Sequence, residues 1–508
     1  MWKKPVLVLV GVFITGVVVL VAVLLLRTYT LPENKVAWQD KGAPRIVLGE
    51  KEREELLKAL KAAIRIPTVS FSETEQNTTA LAEFDEFIHR AFPEIFKSIL
   101  VTYESVGKYS HLFHVQGSNN SLQPYMLLAH LDVVPAPAEG WDVPPFSGEE
   151  KDGYIYGRGT IDDKNCVIGI LQALEFHLKR KFQPLRSFYI GIGHDEEIGG
   201  RHGAMKIAEK LEAKGVKLAF LLDEGLAVLD GVIQGTSRPI ALIGITEKGG
   251  IDLNLTVNSS PGHSSMPPRE SSIGILSAAL SRLEQNPMPS KFGKGPERSM
   301  FEQLAREFSF PLNVMMANLW LFAPVISRIL EQTPSSNAIV RTTTALTIVN
   351  AGIKSNVIPP TARATVNFRI HPAQTADEVM NIVKNTIMDD RVNLSNESFD
   401  PLPISPYDEE NFGYQTLKRT ISDVFSVEPV VPGVCIGNTD SRHFGNLTAS
   451  IYKFSPVVMK PGDLSRFHGL NERISKEGFE SVVQFYYRLI QNSDSDKVPR
   501  HRHVSEEL

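Results

Sequence analysis

Three short apolar runs, at 125–129, 187–192 and 218–222, each end on or close to acidic residues, two of them with histidine. Unbroken apolar runs of this length suit strands buried on both faces, and such strands need helices on either side of their sheet. A helix is expected between the first two, starting near Asp163. It carries Val167, Ile170, Leu171, Leu174 and Leu178 on one face. Two amphipathic helices come earlier. One covers 50–64, with Leu56, Leu57, Leu60 and Ile64 at helical spacing, and the other lies near 79–92. The alternation predicts an α/β fold, a catalytic domain whose central sheet is covered by helices.

At Gly249 the pattern changes. Ile251, Leu253, Leu255 and Val257 alternate with polar residues, as in a half-buried strand. A helix near 271–285, strands near 338–348 and 362–370, and a helix near 375–388 follow. This order predicts a smaller inserted α+β lid domain at 249–390, dividing the catalytic domain into parts at 49–248 and 391–495, with a tail at 496–508. Inside the insertion, Phe301, Leu304, Phe308, Phe310, Trp320 and Phe322 crowd a segment with few charges. It reads as a helical hairpin buried in the lid, or as a greasy wall for an acyl chain or a surface for lipid.

The chain begins with Lys3 and Lys4 ahead of an apolar run from Val6 to Leu26, long enough to span a bilayer. Residues 1–28 therefore read as a signal-anchor or signal peptide, and 29–48 as a stalk with Pro32, Gly42 and Pro44. Either reading sends the rest into the secretory pathway, secreted or membrane-anchored with a lumenal catalytic domain. Asn77, Asn119, Asn254, Asn258, Asn393, Asn396 and Asn446 begin N-x-S/T triplets, in keeping with that address. The two cysteines, Cys166 and Cys435, make neither a disulfide framework nor a thiolate metal site, and are expected as buried thiols. A net charge of −5 over 508 residues excludes a basic nucleic-acid surface.

The chemistry-bearing residues sit where α/β folds place their sites, at strand ends. His130 can bind metal, with Asp132 two residues on placed to orient the ring, although H-x-D alone is equally a structural pattern. In the stretch 157–164, GRGTIDDK, the glycine spacing matches no phosphate loop. Asp162 and Asp163 fit either a helix cap or a carboxylate shared by two ions. Asp195, Glu196 and Glu197 follow the second run. Three adjacent acids repel one another unless a cation offsets the charge, and one acid can bind metal while its neighbour moves a proton. Asp223, Glu224 and, far along the chain, His468 complete an inventory of histidines and carboxylates suited to two divalent ions.

This ordered set resembles the aminoacylase/carboxypeptidase family of co-catalytic zinc hydrolases, which also includes carnosinases and succinyl-diaminopimelate desuccinylases. The resemblance extends over about 50–492. It implies two Zn2+ per subunit. His130 would hold one ion and His468 the other, Asp162 would bridge them, and Glu197 would join His468. One of Asp223 and Glu224 would complete the set. Asp132 would orient His130, and Glu196 would be the general base. In the lid, His263 would stabilise the oxyanion, reaching across a homodimer, and Asn337 and Arg369 would hold the substrate carboxylate. The implied activity is hydrolysis of N-fatty-acyl amino acids and, in reverse, their synthesis from free fatty acid and amino acid. A zinc carboxypeptidase or dipeptidase is the alternative. A non-catalytic scaffold is disfavoured, because every metal-site position and Glu196 are present.

Overall fold

The computed structural model describes residues 3–31, 36–38 and 46–503. Residues 32–35 and 39–45 of the expected stalk, and the end of the tail from 504 to 508, lie outside the described residues. The larger layer is a 10-stranded sheet. At its centre Tyr125–His130 runs parallel to Phe188–Gly193 on one side and to Leu221–Asp223 on the other, and Leu221–Asp223 runs parallel to Ile451–Lys453. His130 pairs with Gly193, so the carboxyl ends of these strands form one edge, and the motifs that follow them share it. Ser110–Val115 and Val101–Val106 extend the sheet antiparallel.

The helix Lys164–Lys179 is buried from Lys164 through His177. It packs between the sheet and the helix Lys476–Ser493, so it needs apolar or paired residues all round rather than one greasy stripe. Cys166 and Cys435 are both free and buried.

The smaller layer is a four-stranded antiparallel sheet in the order Thr343–Ala351, Thr361–Ile370, Gly249–Asn258, Val392–Phe399. Ile251, Leu253, Leu255 and Val257 point to one face together with Ala362, Ala364, Val366, Phe368 and Ile370. The helices Ser272–Gln285 and Ala376–Ile387 cover that face. This is the α/β fold with a smaller inserted unit that the hydropathy pattern implies.

Three features differ from the sequence reading. The strand expected from 338 starts at Thr343, because Pro334 opens a short helix, Pro334–Val340. The last strand of the small sheet, Val392–Phe399, lies beyond residue 390, where the lid was expected to end. Its residues are mostly polar and exposed, so it gives no apolar signal. The apolar segment is not buried in the small sheet. Met300, Phe301, Leu304, Phe308, Met316 and Leu319 pack on Ile240, Leu242 and Val431 of the large sheet.

The N-terminal helix Lys3–Thr30 is apolar along almost its whole length. Its end is docked on that same segment. Asn318 Nδ2 donates to the Leu24 carbonyl at 3.1 Å and to Thr28 Oγ1 at 3.3 Å, and Arg306 donates to the Tyr29 carbonyl at 2.8 Å.

Candidate metal centre

Asp162 sits between two imidazoles. Its Oδ1 is 3.1 Å from His130 Nε2, and its Oδ2 is 3.0 Å from His468 Nε2. Glu224 Oε1 lies 3.2 Å from His130 Nε2, and Glu197 Oε2 lies 3.2 Å from His468 Nε2. Two donor groups thus share one carboxylate, the arrangement that two cations bridged by an aspartate require. Glu196 Oε2 is 4.0 Å from His130 Nε2, beside the cluster without closing on it.

The electrostatics point the same way. Burial pushes the carboxyls of Glu196, Glu197 and Glu224 up, with neighbouring acids adding to it. Burial also opposes charge on Asp162, but hydrogen bonds from His130 and His468 outweigh it and hold that carboxylate well below its usual range. The Asp162 and Glu197 partners raise His468 to about 10, and Glu224, Asp132 and Asp162 raise His130 against its burial. So many buried acids favour positive charge among them, which protons on the two histidines supply in part. Glu197 Oε1 is buried with no hydrogen-bond partner. Ligand types, shared carboxylate and orphaned oxygen together fit divalent ions, which would displace those protons.

Adjacent acids divide their work. Asp223 is turned away from the cluster, accepting from Ser441 N at 2.8 Å and Glu224 N at 2.9 Å. Asp195 accepts from His202 N at 2.7 Å and shapes the turn. Asp132 braces both sides. Its backbone oxygen lies 3.0 Å from His130 Nδ1, while its carboxylate takes Glu196 N at 3.1 Å, Glu197 N at 3.3 Å and Ser70 Oγ at 2.8 Å.

A residue with no assigned role in the sequence reading holds the bridging loop. Glu472 Oε1 accepts from Gly159 N at 3.0 Å, Ile161 N at 2.7 Å and Asp162 N at 3.2 Å, while Oε2 pairs with Arg158 Nη1 at 2.5 Å. Arg158 also donates to the Gly469 carbonyl at 3.0 Å, tying the Asp162 loop to the His468 loop. Gly159 turns the chain there at φ 95°, where a Cβ would sit 3.1 Å from Lys164 Cδ and Val133 Cγ1. The nearness of Glu472 to His468 in sequence was the one available signal.

The lid residues are less gathered. Arg369 hydrogen-bonds Asn438, whose amide in turn donates to the Lys248 carbonyl. Lys248 Nζ donates to the Ala338 and Arg341 carbonyls, both at 2.9 Å, which ties the helix carrying Asn337 to the residue just before the strand Gly249–Asn258. Burial, with Arg369 nearby, lowers the Lys248 amine to about 7. Asn337 Oδ1 is buried without a partner. His263 is exposed, its ring bonded to Ser265 at 2.8 Å, and the structure does not bring it to the metal cluster. Asn438 and Lys248 were missed because their role lies in contacts between the two sheets.

Comparison with known proteins gives the same architecture. The model of peptidase family M20/M25/M40 matches residues 126–492. The N-fatty-acyl-amino acid synthase/hydrolase of Xenopus tropicalis is 68% identical over 499 residues, covering 98% of this chain and 97% of its own. Human carnosine dipeptidase 1 superimposes with a TM-score of 0.62 at 16% identity, over 89% of this chain and 100% of that one. A dinuclear metal binding peptidase from Bacillus subtilis superimposes with a TM-score of 0.52 at 14% identity, over 87% and 98%.

Proposed function

Because the chain belongs to peptidase family M20/M25/M40, we propose that it hydrolyses N-fatty-acyl amino acids and, in reverse, joins free fatty acid to amino acid. The observation that carries this reading is the Asp162 carboxylate held between His130 and His468, with Glu196 alongside, in a chain so similar to a synthase/hydrolase. His130, Asp162 and Glu224 would hold one zinc ion, and His468, Asp162 and Glu197 a second. The pair would lower the pKa of an attacking water and polarise the scissile carbonyl.

Glu196 takes the proton from the water as its oxygen bonds the carbonyl carbon, and delivers it to nitrogen as the C–N bond breaks. Asp132 keeps the His130 ring and the Glu196 backbone in register throughout. In the synthetic direction Glu196 accepts a proton from the attacking amine and passes it to the departing oxygen. Arg369 and Asn337 are the groups we assign to the substrate carboxylate, Arg through a paired hydrogen bond. His263, exposed on the lid, is assigned to the oxyanion of a second copy's site in a homodimer.

Zinc content separates Asp223 from Glu224. Glu224→Gln is expected to lose one ion per chain in metal analysis. Asp223→Asn, whose oxygen still accepts from Ser441, should keep both. The opposite result would give the ligand role to Asp223.

The acyl chain and the membrane meet at the apolar segment. The helix Leu319–Leu330 exposes Trp320, Leu321, Val325 and Ile329 beside the docked end of the N-terminal helix. That juxtaposition supports a lipid-facing surface on a secreted or membrane-anchored lumenal enzyme. Trp320→Ala should reduce turnover of vesicle-borne oleoyl-phenylalanine several-fold and leave acetyl-phenylalanine unchanged; equal effects on both would remove the lipid role. Phe308 is 5% exposed within the core, so Phe308→Ala instead costs about 3–5 kcal/mol of stability.

A further inference from the structure

The fold sorts the seven N-x-S/T asparagines. Asn77 is committed. Its Oδ1 caps the helix Thr78–Ala91 by accepting from Ala80 N at 3.2 Å, and its Nδ2 donates to the Pro67 carbonyl at 3.0 Å. A sugar on that nitrogen would break the second bond and force the cap away from the segment it rests on. Asn119 is half-buried, its Oδ1 accepting from Ser121 N at 3.0 Å and Ser121 Oγ at 2.6 Å. The other five are exposed.

Three of those five share one surface. Ile251, Leu253, Leu255 and Val257 face the covering helices, so Asn254 and Asn258 point to the other side of the small sheet. Asn393 pairs with Thr256 across the strands and lies on that same side. At this end the surface is polar apart from Ile348, and nothing among the described residues packs over it; Phe399, paired with Gly250, lies at the other end. It holds a concavity of about 290 Å³ bordered by Asn254, Thr256, Ile348, Asn350, Arg363 and Thr365.

Asn254 is the best presented of the three. Its Oδ1 accepts from Thr365 Oγ1 at 2.9 Å, which fixes the amide plane, and its Nδ2 has no hydrogen-bond partner among the described residues. Asn393 Nδ2, by contrast, leans on the Thr256 carbonyl at 3.4 Å, and the Asn258 triplet runs into Pro261.

We propose that the uncovered face of the small sheet is an N-glycosylated surface with Asn254 as its acceptor. This rests on the lumenal address of the preceding section. The step joins Asn254 Nδ2 to the anomeric carbon of a lipid-diphosphate-linked oligosaccharide. The diphosphate leaves with the bonding electron pair, and one amide proton is released. The sugar then lies over Ile348 and the concavity, and bars a second sheet from stacking on this face.

The full chain, expressed in a secretory cell, is treated with peptide N-glycosidase in heavy-oxygen water, which converts each occupied asparagine to labelled aspartate. Peptide mass spectrometry is expected to find label at Asn254 and none at Asn77. Thr256→Ala removes the triplet but keeps the Asn254–Thr365 bond; it should abolish label at Asn254 alone and leave chelator-sensitive turnover unchanged. Compartment is read separately, by protection from protease in sealed microsomes. An unlabelled Asn254 in a protected chain overturns the glycan and leaves the address standing. A chain unlabelled throughout and cut by protease overturns the address and the glycan with it. Label at Asn77 equal to that at Asn254 would show that the fold does not sort the triplets, and overturns the assignment.

Discussion

Glu196→Gln is expected to retain its full metal content and to lose about 10²–10⁴-fold in kcat for oleoyl-phenylalanine hydrolysis, the range typical of a lost general base. The substitution keeps the side chain's shape and removes only its capacity to take a proton. Glu196 stands 4.0 Å from His130 Nε2, next to the shared carboxylate without belonging to it, and its backbone is fixed by Asp132. Burial raises its proton affinity, which suits a base that must take a proton and hold it until the amine departs. Metal analysis beside steady-state rates separates loss of the base from loss of the ions. Wild-type kcat in a metal-replete variant would remove Glu196 from the reaction.

Glu472→Ala is expected to cost about 3–5 kcal/mol of stability, because it strands the buried Arg158 guanidinium. It also strips three backbone N–H groups, at Gly159, Ile161 and Asp162, of their acceptor. The loop that presents Asp162 would relax, so metal affinity should fall together with the denaturation midpoint. Glu472→Gln, which keeps one oxygen for those N–H groups, should fall between. Denaturant unfolding reads the first effect and metal titration the second. A loss within about 0.5 kcal/mol, the scale of an ordinary surface change, would mean the loop holds its shape unaided.

The parts of this site legible in the sequence are those written in contiguous residues. His130, Asp162, Glu196, Glu197 and Glu224 each follow an apolar strand or open a helix, so their placement at one sheet edge follows from local pattern and the rule for strand ends. Which of Asp223 and Glu224 faces His130 did not follow, since adjacent residues at a strand end point to opposite sides and sequence does not say which side is which. Apart from its nearness to His468 in sequence, Glu472 carries no signal of its role, because that role is a set of bonds to backbone groups over 300 residues away. The same holds for Asn438 and Lys248, which join the two sheets. The apolar segment was assigned to the lid by its position in the chain. It packs on Ile240, Leu242 and Val431 instead, because one face of the large sheet offers apolar surface there, whereas the small sheet has covered its apolar face with its own helices.

The measurement that bears most directly on the function is turnover of oleoyl-phenylalanine by the purified protein, with acetyl-phenylalanine and a dipeptide alongside, before and after chelation. Chelator-sensitive release of oleate, restored by zinc and far faster than cleavage of the other two, is the predicted result. Release of free amino acids from the dipeptide alone would contradict it, leaving the metal centre in place and making the chain a peptidase.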